Sequence, residues 1–152
     1  MTRNDLIVTA SAIPEFTDAA AAEYGQKKDS MVAEINEYML ARADIEELVG
    51  PGNIEMMKDN HANHALFIES MLTAFNATVL VETIAWVFTA YRSRNFHSNY
   101  WAAQLHAWTS VMKKSLSAEA CENIMPLYVW MTINIPQFAA LTENQDEHKH
   151  SQ

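Results

Sequence analysis

Glycine is scarce in this chain: three in 152 residues, about a third of the usual share. That excludes a phosphate-cradling loop and a dinucleotide fingerprint, both of which need several glycines close together. Cysteine is scarcer still. The lone Cys121 cannot close an intramolecular disulfide, and the first residues show no basic leader, apolar core or cleavage site, so the cytoplasm is the expected compartment. Positive charge is in deficit as well, with 10 Lys and Arg against 19 Asp and Glu and a net charge of -9. Nucleic acid is therefore not expected as a partner, because phosphate binding rests on clustered basic side chains releasing counterions. An anionic membrane surface is disfavoured for the same reason, and no run approaches the roughly 18 uninterrupted apolar residues of a membrane span.

The chain does have apolar bulk. Its composition is 49% hydrophobic, with 4 Trp, 5 Tyr and 6 Phe, which is incompatible with intrinsic disorder. A chain of this length makes one domain, able to bury about 70% of the surface its unfolded form exposes. Abundant Ala, Met, Leu and Glu without sustained two-residue alternation predict an all-α fold.

Punctuation divides the helices. Pro14 opens one that Gly25 stops near Tyr24, and Asp29 or Ser30 caps a second over residues 31–42, with Val32, Ile35 and Met39 as its buried stripe. Asp44 caps a short helix through Leu48, and Gly50-Pro51-Gly52-Asn53 is the strongest break, the place for any hinge. A long helix runs from Asn53 to Phe75 and ends at a left-handed Asn76, and Thr78 caps the next, over residues 79–92. Ser98 or Asn99 opens a helix to Leu116, and Ser117 opens another that Pro126 kinks or splits and Pro136 closes. A short turn through Leu141 precedes a polar, disordered tail at residues 144–152. Residues 1–143 thus form a single compact domain of about six main helices, a helical bundle with an antiparallel pair over residues 53–92 at its centre.

The segment from Asn53 to Phe75 carries the most information. At about 100° per residue, Ile54, Met57, Ile68, Met71, Leu72 and Phe75 share one arc, and His61 and His64 lie on it. Asp59, Asn63, Ser70 and Thr73 occupy the opposite side. Two imidazoles therefore project into the core, where each unsatisfied polar group costs about 1–3 kcal/mol. Three readings stay open: neutral histidines hydrogen-bonded to facing helices, ligands to a metal or a haem iron, or the polar corner of a cavity for an organic ligand.

A metal needs further ligands, with His97 the nearest addition to His61 and His64. Neither helical histidine has Glu three residues before it, as carboxylate-bridged di-iron bundles require, and Ala62 after His61 breaks the zinc-protease pattern. Haem needs one axial ligand and an apolar slot, which Met57, Ile68, Met71, Phe75, Val87, Phe88, Trp101, Leu105 and Trp108 can line. Chain length, helical content and the spacing of His61 and His97, about 36 residues, resemble a globin in architecture. The globin ligand pattern itself is not matched, because the helix over residues 79–92 has no histidine and His97 falls at a helix entrance.

Other polar residues read as structural. His106 projects beside Lys113 on a solvated face, and His148 and His150 belong to the tail. Arg92 and Arg94 complement the negative end of a helix, and Glu82 the positive start of the same one. Cys121 reads as a small core residue. On the last helix Trp130, Val129 and Ile133 lie away from the stripe of Ile124, Tyr128 and Met131, which fits a central position or a subunit interface.

No nucleophile, acid–base pair or complete metal motif can be assembled, so an enzyme is not expected. The sequence points to a sensing or binding domain that holds a small ligand or haem in an apolar pocket edged by His61 and His64. The alternative is an interaction module, a helical homodimer without ligand.

Overall fold

The computed structural model describes residues 1–150, with side chains described through Glu143. It is all-α. Among the described residues eight helices follow in order: α1 (Arg3–Ala10), α2 (Asp18–Leu40), α3 (Ile45–Val49), α4 (Ile54–Thr73), α5 (Ala77–Arg92), α6 (Asn99–Ser115), α7 (Ala118–Ile133) and α8 (Ile135–His150). The core draws on every one, centred on Trp108, Tyr24, Tyr100 and Tyr128. Of the disordered tail expected at residues 144–152, the backbone of α8 continues to His150, and the side chains after Glu143, those of His148 and His150 included, and residues 151–152 lie outside the described residues.

The first expected break does not occur: α2 runs straight through Gly25. A side chain there would meet the Glu69 carboxylate of α4, so this glycine serves a close helix–helix approach. Thr17, whose hydroxyl accepts from Ala20 N–H, caps α2, and Pro14 lies ahead of it. Asn76 is not left-handed; its side chain accepts from Val79 N–H and caps α5, the role expected of Thr78. Among the described residues other than glycine, positive φ falls on Asn95, at 73°.

The expected hinge is tied down. Gly50 has φ 86°, and a Cβ there would stand 3.0 Å from the Asn95 carbonyl oxygen. Across the same contact Asn53 Nδ2 donates to the Val49 and Arg94 carbonyls, each at 2.7 Å, and His97 N–H donates to the Leu48 carbonyl at 2.7 Å. The segment between α3 and α4 is thereby bonded to the one between α5 and α6.

Ser117 caps α7 as expected. Pro126 lies inside that helix without splitting it. Pro136 opens α8 rather than closing α7, since a proline in a first turn forfeits no helical bond. The two helices are bent by 43°, and no single helix among the described residues is long and apolar enough to cross a membrane. This eighth helix changes the packing. α4 lies on α2, whereas α5 lies on α1 and α8, so α4 and α5 are not the central antiparallel pair. A cleft lies between them, lined by both.

Candidate functional site

The cleft holds a cavity of about 270 Å³, at the small end of the range for organic-ligand pockets. α4 contributes Asn60, Asn63, His64 and Phe67, while α5 contributes Thr83, Ile84, Trp86, Val87 and Phe88. Trp101, Gln104 and Leu105 of α6 close it from behind with Met131 and Ile135. Phe88 and Trp101 stack there at 4.7 Å between ring centres. Trp86 is 69% exposed and stands at the mouth.

His64 is the expected residue that reaches this cavity with a polar group. It is half-buried, and its Nε2 lies 2.8 Å from the Tyr128 hydroxyl, which lies 3.0 Å from the Tyr24 hydroxyl. Imidazole is a stronger base than phenol, so Tyr128 donates to Nε2 and Tyr24 donates to Tyr128. His64 then carries its proton on Nδ1. Burial pushes the His64 pKa down to about 3, with repulsion from His61 adding to it, and raises both phenols above their ordinary range.

His61 is fully buried and lines no part of the cavity. Its Nδ1–H donates to Asn36 Oδ1 of α2 at 2.7 Å, its ring lies parallel to Tyr100, and burial lowers its pKa to about 4. It joins helices. Met57, Ile68 and Met71 are core residues on the same stripe, away from the cavity, and Trp108 stands one layer behind, its ring 4.9 Å from that of His64. Of the expected pocket, His64, Val87, Phe88, Trp101 and Leu105 are brought together.

His97 lies on the surface, its Nδ1 accepting from Asn99 N–H at 3.0 Å, and is not gathered with His61 and His64. Among the described residues no group of three or more His, Cys, Asp or Glu is placed to hold a metal ion. With His64 Nε2 already bonded to Tyr128, an axial bond to haem iron from that nitrogen would require breaking it.

Sequence reading passes over two buried polar residues of the cavity, Asn60, whose Nδ2 donates to the Tyr100 hydroxyl at 2.8 Å, and Gln104. Gln104 is 1% exposed and lines the cavity, and its buried amide nitrogen has no hydrogen-bond partner. A signal was present: Tyr100, Gln104 and Trp108 recur every four residues, which sets an amide inside an aromatic stripe. His61 Nε2 and Trp108 Nε1 are also buried without partners, but neither residue lines the cavity. The chemistry on offer is recognition: an apolar enclosure, one unpaired donor and one neutral imidazole. No family model, no curated protein and no solved structure matches the chain.

Proposed function

We propose that this protein is a non-enzymatic binding domain that takes a small, mostly apolar molecule carrying a hydrogen-bond acceptor into the cavity between α4 and α5. The Gln104 amide carries this reading. A buried donor without partner costs about 1–3 kcal/mol, and a cost of that size is retained where a ligand supplies the missing acceptor. His64 edges the same space, and the surrounding aromatic and aliphatic side chains supply most of the affinity through burial. The cavity suits a bicyclic molecule or a short acyl chain better than a haem.

The test compares 1-tetralone with tetralin, two bicyclic probes that differ in one carbonyl. The ketone is expected to bind about tenfold more tightly to the wild type, and Gln104→Leu to abolish that preference while stabilising the ligand-free protein by about 1–3 kcal/mol. Equal affinity of both probes for the wild type would refute the reading.

A second reading rests on Val129 and Ile133, which are 47% and 67% exposed one turn apart on α7 and offer a face for self-association. Trp130 takes no part in it, being covered by its own chain and donating from Nε1 to Thr9 Oγ1 at 3.0 Å. Under this reading, sedimentation at tens of micromolar gives a dimer that Ile133→Glu dissolves.

A further inference from the structure

Beside the apolar cavity a further hollow lies towards the start of α4 and the end of α5. Asn63 and Trp86 line both the cavity and a second compartment of about 290 Å³. The two together run along α4 from Phe67 to Met56, roughly 16 Å of helix at about 1.5 Å per residue. Their chemistry differs. The outer compartment presents Asp59, Tyr91 and Arg94 beside Trp86.

Asp59 and Arg94 are both exposed, and among the described residues neither has a partner of opposite charge within ion-pair distance, including each other. The Arg94 guanidinium has only the Met56 sulfur, at 3.9 Å. One compartment thus holds a cation and an anion that form no ion pair with each other. An anionic head group would meet Asp59 and a protein of net charge -9; a cationic one would meet Arg94. A head group carrying both signs is favourable at both, and as a whole it is neutral. The Trp86 and Tyr91 rings add faces that attract a quaternary ammonium, while a guanidinium suits a phosphate or carboxylate.

We infer that the cleft binds a single-chain zwitterionic amphiphile, its chain in the inner cavity with a hydrogen-bond acceptor on that chain at Gln104, and its zwitterionic head between Asp59, Trp86, Tyr91 and Arg94. This rests on the binding reading of the inner cavity and adds the class of ligand. The same head group occurs on free amphiphiles and on bilayer lipids; the commitment is to the monomer, because the chain must enter between α4 and α5.

Isothermal titration below micelle formation tests it with octylphosphocholine against 1-octanol, octyl sulfate and octyltrimethylammonium. Octylphosphocholine is expected to bind at least about tenfold more tightly than each of the others. Asp59→Asn and Arg94→Gln, both at exposed positions, should each weaken it about fivefold and leave 1-octanol unchanged. Gln104→Leu should leave the ranking of the heads as it is. 1-Octanol binding as tightly as octylphosphocholine would overturn the inference while the reading of the inner cavity stands; failure of 1-octanol and of 1-tetralone to bind at all would remove both. Octyl sulfate as the tightest ligand, or protein carried down with phosphatidylcholine vesicles without binding octylphosphocholine, would also overturn it.

Discussion

Two histidines three residues apart have been given different duties by their neighbours. His61 donates to Asn36 and joins α4 to α2, while His64 accepts from Tyr128 at the edge of the cavity. Both are held neutral by burial, with pKa values of about 4 and about 3 against an ordinary 6.5. Since the folded values lie below the unfolded one, the unfolded chain takes up protons first. The stability is complete above pH 6.5 and is lost as the pH falls towards 4. Between pH 7 and pH 5.5 each histidine should cost about 1 kcal/mol. Urea unfolding of His61→Phe at the two pH values is expected to show about half of the wild-type loss; an unchanged loss would mean that His61 does not titrate on unfolding. The burial of His61 was legible, because helical phase is a property of spacing alone. Gln104 was not, since whether an amide in an aromatic stripe finds a partner depends on what the facing helices bring. Spacing places Asp59 and Asn63 on the side of α4 opposite its core stripe, but that this side lines a cleft depends on where α5 lies.

Helices whose ends are set locally were readable as elements. The serine cap of α7 follows from residues within one turn, whereas the Asn53 side chain makes no capping bond to α4 and donates instead to the Val49 and Arg94 carbonyls. Gly25 shows the opposite case. Its signal resembles a stop, but its reason lies on another helix, in the Glu69 carboxylate that Lys28 holds at 3.4 Å. Alanine in a helix interior is worth about 1 kcal/mol over glycine, and at this site the gain is offset by displacing that carboxylate. Gly25→Ala is therefore expected to be close to neutral in the wild type and to stabilise by about 1 kcal/mol in a Glu69→Ala background. Thermal or urea unfolding of the four proteins in that cycle measures the difference, and equal effects in both backgrounds would show that the two sites do not couple. The same non-local logic hid α8. Its first turns bury Phe138 and receive α5, while its later composition reads as a polar tail; with α8 missing, the apolar side of α5 had no partner but α4.

Over the whole molecule the acidic excess sets the response to salt. The ion pairs Arg3–Glu82, Lys58–Glu55 and Lys114–Glu34 each involve a solvent-exposed side chain, and pairs of that kind are worth about 0–1 kcal/mol. Self-repulsion at net charge -9 outweighs them. Raising ionic strength from about 0.02 to about 0.3 M, which shortens the screening length several-fold, should raise the melting temperature by a few degrees; a falling melting temperature would show the ion pairs to dominate. The distribution of indoles has a further consequence. Trp101, Trp108 and Trp130 are at most 9% exposed, whereas Trp86, at the mouth of the cleft, is 69% exposed. Trp86 is consequently the indole whose emission lies furthest to the red and the one that a neutral quencher such as acrylamide reaches. Trp86→Phe should shift the native spectrum to the blue and remove most of the quenching. The protein thus carries its own optical gauge, in which filling of the cleft reads as one tryptophan going dark to the quencher.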